Sequence, residues 1–318
     1  MKAITLKKNG GIENLEINET DKPVIQQDEV LVKVKAIAIN PVDTYVRQME
    51  QGLKEMLRPA PGQDTFILGW DIAGIVEETG PQVSAFKKGE AVFGMVNFRG
   101  QGKAYAEYVA APAAHLALKP DNISFEEAAG ATLAALTAWQ ALVTYAKIKK
   151  GDKVLIHAAA GGVGHYAVQI AKHSGAYVIG TASAANKDFV LGLGADEFID
   201  YTKEQFEERV QDADVIIDPI YGEEHVLRSL QALKPGGRLI TLLTPFEGKP
   251  AEKAKEKGAY THLLSVTSNG KDEAQLAELL KSGAVKTHIA GTYRFEEMGK
   301  AHQQMSSGKK GGKIVVTI

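Results

Sequence analysis

The segment Val154-Leu155-Ile156-His157-Ala158-Ala159-Ala160-Gly161-Gly162-Val163-Gly164 is an apolar strand pattern that runs into a glycine-rich turn, and His165-Tyr166-Ala167-Val168-Gln169-Ile170-Ala171 behind it has helical spacing. Such a strand, turn and helix can hold a diphosphate. In the frame G-x-G-x-x-G the positions are Ala159, Gly161 and Gly164, so alanine stands at the first glycine. The frame makes three demands: a small residue for the tight turn, bare backbone beside the diphosphate, and close packing of helix on strand. The amides near Gly162 and Val163, at the positive end of the helix, are the expected anion donors. A glycine turn also occurs in α/β proteins that bind nothing. Its setting decides the reading: a strand precedes it, a helix follows, and a second strand (177–181) comes at the expected distance.

An NAD site usually places Asp or Glu at the end of that second strand, about twenty residues past the loop. Here the strand ends Tyr177-Val178-Ile179-Gly180-Thr181-Ala182-Ser183-Ala184-Ala185-Asn186-Lys187, and no acid occurs before Asp188. A carboxylate there would repel a 2′-phosphate, whereas Ser183 offers a hydroxyl and Lys187 a cation. The expected cofactor is therefore NADPH. A lysine at a helix start is common on any surface, so the missing acid carries more of the argument than Lys187 does.

The elements that must carry this loop alternate in style. Beyond Pro120, Ser124-Phe125-Glu126-Glu127 reads as a capping box. It opens an uncharged, alanine-rich stretch, 128–146, which contains Thr132, Thr137, Gln140, Thr144 and Gly130 and is read as one buried helix. Apolar strands at 153–157, 177–181, 195–199, 215–218 and 238–243 then alternate with helices. That pattern predicts an α/β fold with a doubly wound, mostly parallel sheet of the Rossmann type. The first third is different. Short strands at 29–39, 72–77, 91–95, 105–110 and 114–118, punctuated by Gly80-Pro81 and Lys88-Gly89, predict a β-rich domain. Residues 46–66, with Pro59, Pro61 and Gly62, read as loop-rich. The tail reads as a helix at 271–281, a strand at 285–289, a helix at 295–306 and a last strand at 313–318, returning to the first domain.

A chain of 318 residues favours two domains. A net charge of −2 and 24% charged residues give no reason to expect nucleic acid or an anionic membrane as the main partner. The absence of cysteine excludes disulfides, thiolate metal ligands and a thiol nucleophile. The start, Met1-Lys2-Ala3-Ile4-Thr5-Leu6-Lys7-Lys8, lacks a signal-peptide core, and a cytoplasmic protein is expected. The eight histidines show no close ligand spacing such as H-x-x-x-H. Serine and histidine form no G-x-S-x-G elbow. Lys309-Lys310 reads as a solvated turn rather than an anion site.

Four spaced segments together resemble the medium-chain dehydrogenase/reductase superfamily, in particular its zinc-free quinone oxidoreductase (zeta-crystallin-like) branch. They are Asn40-Pro41-Val42-Asp43; Gly69-Trp70-Asp71-Ile72-Ala73-Gly74-Ile75-Val76 through Gly80, Val83 and Gly89; the loop 158–164; and Gly312-Lys313-Ile314-Val315-Val316. The resemblance covers essentially the whole chain. It implies a GroES-like catalytic domain from 1–120 and 268–318, an NADPH-binding Rossmann domain from 121–267, and a homodimer or homotetramer. It also implies that Thr137 lies near the nicotinamide ribose and that Tyr201 joins Ser183 and Lys187 around the 2′-phosphate. The family usually has Asn before that tyrosine, and this chain has Asp200. Taken alone, Thr137 reads as a buried hydroxyl and Tyr201 as a surface aromatic.

Zinc-dependent relatives carry Cys where Asn40 stands and Gly-His-Glu where Gly69-Trp70-Asp71 stands, so the resemblance implies no metal. Zinc stabilises the oxyanion that forms as hydride reaches a simple carbonyl. Without it the acceptor must disperse the charge itself, as quinones and enones do, and these are the expected substrates. Asn40, Asp43 and Tyr45 are the expected catalytic residues: Asn40 orients substrate or nicotinamide, Tyr45 donates toward the oxyanion, and Asp43 fixes the loop. The sequence Asn-Pro-Val-Asp also reads as simple turn chemistry. Two alternatives stay open, a 2-enoyl thioester reductase and a non-catalytic NADPH-binding regulatory or RNA-binding protein.

Overall fold

The computed structural model of the chain describes residues 1–308 and 311–318, so Lys309-Lys310 lies outside the described residues. The chain divides into two compact units, Thr137–Val266 and a second made of Met1–Leu136 with Thr267–Ile318.

In the Thr137–Val266 unit, six strands form one sheet in the order Glu197–Asp200, Tyr177–Ala182, Lys153–Ile156, Ala213–Asp218, Leu233–Thr241, Tyr260–Leu263. Every neighbouring pair is parallel. By position along the chain this is the order 3-2-1-4-5-6 of a dinucleotide-binding fold. The central strands are continuous apolar runs because helices cover both faces. Val154, Leu155, Ile156, Val215, Ile216 and Ile217 are all buried. Helix Gly164–His173 buries Tyr166, Ala167, Val168, Ile170 and Ala171. Strand order reverses at Lys153–Ile156, and the phosphate loop leaves the C-terminal end of that strand, where such sheets bind ligands.

The other unit is β-rich. A seven-stranded sheet runs Ile289–Arg294, Lys313–Thr317, Glu29–Ile39, Asp71–Thr79, Ala91–Met95, Leu116–Leu118, with Tyr108–Pro112 also paired to Glu29–Ile39. Leu15–Glu19, Lys2–Leu6 and Phe66–Ile67 form a three-stranded sheet. The tail does return: Lys313–Thr317 pairs antiparallel with the end of Glu29–Ile39, with Ile314 opposite Ile39. That long strand has the exposed Lys33 among buried neighbours in its first half and is buried throughout its last residues. The buried end is the one that carries Asn40.

Several expected elements differ. Residues 46–66 are largely helical, as Pro41–Gln48 and Glu50–Leu57. Asn40 is an N-cap, Pro41 holds the first helical position, and Asp43 accepts from the Asn40 amide at 2.7 Å. Asn, Pro and Asp serve a helix start as well as a turn, so the composition alone did not separate the two. The stretch 128–146 is not one helix. It divides into Phe125–Gly130, Leu133–Trp139 and a π-helical turn, Gln140–Tyr145. Thr132 lies in the break and bonds back to the Ala129 carbonyl at 2.8 Å, the local competition with the helix that threonine offers. Helix Phe125–Gly130 packs on Glu29–Ile39 and Asp71–Thr79, so its unit extends past Pro120. The strand expected at 285–289 is found at Ile289–Arg294. Among the described residues no helix is long and apolar enough to cross a membrane.

Candidate active site

The phosphate loop has the shape its residue types demand. A Cβ on Gly164 would lie 2.1 Å from the Ala158 carbonyl oxygen and 2.7 Å from the Ala159 Cα, so only glycine lets the helix start this close to the strand. Alanine at the first position has its own explanation. Ala159 is fully buried, and the Cβ that Gly180 lacks would lie 3.0 Å from its methyl. The second strand gives up a side chain where the loop gained one. The amides of Gly162 and Val163, at the head of helix Gly164–His173, are half-exposed and donate to no acceptor among the described residues. A diphosphate fits such free donors at a helix N-terminus.

At the strand ends, Ala182 pairs with Asp200, and Ser183 and Tyr201 are the next residues on adjacent strands. The two side chains therefore leave the sheet side by side. Ser183 accepts from Asn186 Nδ2 at 3.0 Å, while Lys187 and Tyr201 are exposed. Asp200 is engaged locally: its Oδ1 accepts from the Thr202 hydroxyl at 2.7 Å and the Thr202 amide at 3.1 Å, and these bonds, with the nearby Lys203 charge and the Ala184 amide, hold its pKa low. Thr137 is buried at the start of this unit.

Sequence spacing gave no sign of a cluster at the ends of the two central strands. Asp218 accepts from Ser229 Oγ at 2.8 Å, pairs with His225 Nδ1 at 2.9 Å and receives the Ile220 amide at 3.0 Å. His157 meets Thr181 Oγ1 at 3.2 Å through one nitrogen and Ser229 Oγ at 3.3 Å through the other. Burial pushes His157 down to about 4, so its ring is neutral. The ligand atoms of His157, Asp218 and His225 lie within 4.8 Å of one another. Asp218, His157 and Ser229 are all bonded within this network, which ties the loop strand to helix Glu223–Ala232.

In the β-rich unit, the loop after Glu29–Ile39 carries the expected catalytic residues, and the structure separates their circumstances. Asn40 is buried and committed at both ends. Its Nδ2 donates to Asp71 Oδ2 at 2.7 Å, and its Oδ1 accepts from Lys313 Nζ. Lys313, also buried, bonds the Ile39 carbonyl at 3.4 Å and stands 3.8 Å from Asp71 Oδ2. Asp71 further receives the Leu133 amide at 3.2 Å. Burial pushes Asp71 up and Lys313 down, and their mutual attraction opposes both. Trp70, beside Asp71 in the chain, donates its indole N–H to the Gly100 carbonyl at 2.8 Å and meets Phe98 edge-on.

Asp43 is fully buried, and burial together with the Asp71 charge raises it to about 7. Its Oδ2 receives the Asn40 amide at 2.7 Å. Nearby, Tyr105 Oη meets His302 Nε2 at 2.9 Å, and His302 Nδ1 receives Arg47 Nε at 3.3 Å. Tyr45 is placed differently. It is partly exposed, its hydroxyl meets no partner among the described residues, and its ring lies on Gly52, where a Cβ would come within 2.7 Å. Of Asn40, Asp43 and Tyr45, it alone presents a side-chain donor to solvent. The cluster members that sequence reasoning did not single out are Asp71, Lys313, Tyr105 and His302. Asp71 and Lys313 stood within the resembling segments, but only as pattern residues.

Comparison with known proteins agrees along the whole chain. Residues 26–121 match the alcohol dehydrogenase GroES-like domain and residues 193–316 the zinc-binding dehydrogenase domain. The chain is 34% identical to the quinone oxidoreductase of Mus musculus, covering 100% of this chain and 98% of that protein. It is 34% identical to the NADPH-dependent alkenal/one oxidoreductase of Arabidopsis thaliana, covering 99% of this chain and 79% of that one. The solved structure of the quinone oxidoreductase from Coxiella burnetii superposes with a TM-score of 0.91 at 33% identity, covering 100% of this chain and 99% of that one. The fold class expected from the sequence, a doubly wound parallel sheet with a GroES-like domain, is the one found. The chain belongs to the quinone oxidoreductase branch of the medium-chain dehydrogenase/reductase superfamily.

Proposed function

We propose that the protein is an NADPH-dependent reductase that passes hydride to quinones or enones without zinc. The observation that carries the acceptor class is the donor set around Asn40. A tetrahedral zinc needs thiolate, imidazole or carboxylate ligands converging on an open position. Here an amide, an indole and a buried ammonium stand in that neighbourhood, and its one adjoining carboxylate, Asp71, is taken up by Asn40 and Lys313, with no thiolate or imidazole beside it among the described residues. These residues do not fit zinc. An acceptor that spreads its own negative charge is the chemistry they suit.

For the cofactor, Gly162 and Val163 hold the diphosphate, and Ser183, Lys187 and Tyr201 surround the 2′-phosphate. Bound NADPH supplies the hydride. The names of the Mus musculus and Arabidopsis thaliana relatives support this reading. Tyr45 donates a hydrogen bond to the acceptor's oxygen, while Asn40 and Asp43 keep the Tyr45 helix start in place rather than touch substrate.

A panel of quinones, small enones and enoyl thioesters, followed by nucleotide oxidation, tests the activity. Turnover is expected with the first two classes, falling about tenfold or more in Tyr45→Phe if its hydroxyl stabilises the oxyanion. Tight NADPH binding with no turnover on any acceptor would sink the enzymatic reading. Lys187→Ala is expected to weaken NADPH about tenfold, near 1.4 kcal/mol, and to leave NADH unchanged. Equal loss for both nucleotides removes Lys187 from the phosphate site.

A further inference from the structure

The two central strands of the Thr137–Val266 unit end side by side. Ile156 lies opposite Ile217, so His157 and Asp218 are the next residues on neighbouring parallel strands, and both are buried. Helix Glu223–Ala232 follows. His225 and Ser229 stand four residues apart on it, so one helix face brings both to Asp218. The Phe206 ring lies 4.4 Å from that of His157 and 5.3 Å from that of His225, and the two imidazoles are 4.7 Å apart, all between centroids. Two imidazoles and a carboxylate thus share one corner walled by an aromatic ring. Of the three, only His225 reaches solvent, with 21% of its side chain exposed.

The charge and the protons of this corner suit a cation. Burial alone would raise the Asp218 carboxyl, but the His225 hydrogen bond and its other partners outweigh burial and hold it below its usual value, so the group is an anion. Among the described residues neither lysine nor arginine pairs with it, and Arg228, on the same helix, is held by Glu207 at 2.6 and 2.7 Å. Burial keeps His157 neutral, the state in which an imidazole ligates. Ser229 has one hydroxyl proton and gives it to Asp218, so its 3.3 Å bond with His157 Nε2 needs the ring proton on Nε2. Moving that proton to Nδ1, where the Thr181 hydroxyl accepts it at 3.2 Å, bares Nε2 without turning the ring. His225 likewise frees Nδ1 by carrying its proton on Nε2. Each buried ligand then has an orienting partner: Thr181 behind His157, and the Ser229 hydroxyl and Ile220 amide on Asp218. Outer bonds of this kind fix the direction of metal-ligating groups.

We propose that His157, Asp218 and His225 form a binding site for a divalent transition ion of the zinc class, with water in the fourth position. The site is separate from the Asn40 cluster and independent of the reductase reading. Its three ligand atoms lie within 4.8 Å of one another, and Asp218 Oδ2 and His225 Nδ1 are 2.9 Å apart. Bonds of about 2.0–2.1 Å in a tetrahedron set ligands about 3.4 Å apart, so a small rotation of the partly exposed His225 side chain completes the set. Imidazole and carboxylate together suit zinc rather than calcium or magnesium, which prefer oxygen alone. The bound ion clamps the strand that enters the phosphate loop to helix Glu223–Ala232.

Calorimetric titration of the full-length, chelator-treated protein with zinc chloride tests the site. One ion per chain is expected, with a melting temperature that rises as zinc is added. His225→Gln should lower zinc affinity about 100-fold and abolish that rise, while its metal-free melting temperature stays near wild type. Thr181→Val, which removes only the partner behind His157, should lower affinity about tenfold. His173→Gln, at an exposed histidine, should leave zinc binding unchanged. Zinc-edge X-ray absorption of the wild-type complex should show two imidazole ligands, and this readout needs no variant. Absence of zinc binding, wild-type affinity in His225→Gln, or a ligand shell of oxygens alone overturns the site.

Discussion

Alanine at Gly164 is expected to cost the protein its cofactor and part of the stability of the Thr137–Val266 unit. The added methyl would lie 2.1 Å from the Ala158 oxygen, 2.7 Å from the Ala159 Cα and 2.8 Å from the Ala158 carbonyl carbon. All three are backbone atoms, so no side chain can turn aside. Overpacking of this kind costs about 1–3 kcal/mol or more. Relief requires the loop or the helix to move, and either displaces the Gly162 and Val163 amides from the diphosphate position proposed above. We expect at least a 100-fold loss of NADPH affinity, about 2.7 kcal/mol, with a lower melting temperature. Nucleotide titration and thermal unfolding measure the two effects. Gly192→Ala is the control. Nothing lies within 4 Å of its added methyl, and it ends helix Lys187–Gly192, so it should be neutral or slightly stabilising. Full NADPH affinity in Gly164→Ala would show that the diphosphate is held elsewhere.

Lys313→Met should be the most damaging single change in the β-rich unit. It removes the ammonium and leaves Asp71 buried, with Asn40 deprived of the donor to its Oδ1. Breaking one side of a buried pair costs about 3–5 kcal/mol, whereas removing both sides is often nearly neutral. Adding Asp71→Asn should therefore return much of the stability lost in Lys313→Met. Urea unfolding of both single variants and the double variant measures the coupling. The pH dependence has a definite sign. Asp71 is raised above the carboxylate value even with Lys313 present, and loss of the cation raises it further. A native carboxyl that holds its proton more tightly than the unfolded chain contributes most at low pH. That contribution falls as pH rises above the unfolded value, near 3.8. The defect of Lys313→Met should accordingly be smallest in acid and grow toward neutrality. A defect independent of pH, or no rescue by Asp71→Asn, would mean that the pair does not hold the site together.

These results bear on how the site is built. Asn40 was expected to face substrate, and in the structure both ends of its amide are engaged by Asp71 and Lys313. It caps the helix Pro41–Gln48, which carries Tyr45, and in the proposed reading its effect on chemistry passes through that helix. The buried pair, the cap and the tyrosine thus form one mechanical sequence. Each link is a hydrogen bond or a packing contact that a substitution can cut separately.

The local patterns were readable without coordinates. A period of two, a period of 3.6 and the chemistry of Gly, Pro, Asn and Ser depend on a few neighbouring residues, so the alternating strands and helices, the Ser124 capping box and the loop 158–164 stood in the sequence itself. Where one residue set serves two local structures, the sequence did not choose. Asn40-Pro41-Val42-Asp43 satisfies a turn and a helix start alike, and only the burial of Val46, Leu53 and Leu57 decided for helix. What no local pattern holds is which distant residues meet. Ala159 is tolerated because Gly180 lies across from it on the second strand. Lys313 reaches Asn40 because Ile314 pairs with Ile39. The sequence by itself determined the dinucleotide loop, the acid-free strand end and the family. Tertiary packing decided which buried charges face one another, because charge pairing in a dry interior is set by strand register and not by spacing along the chain.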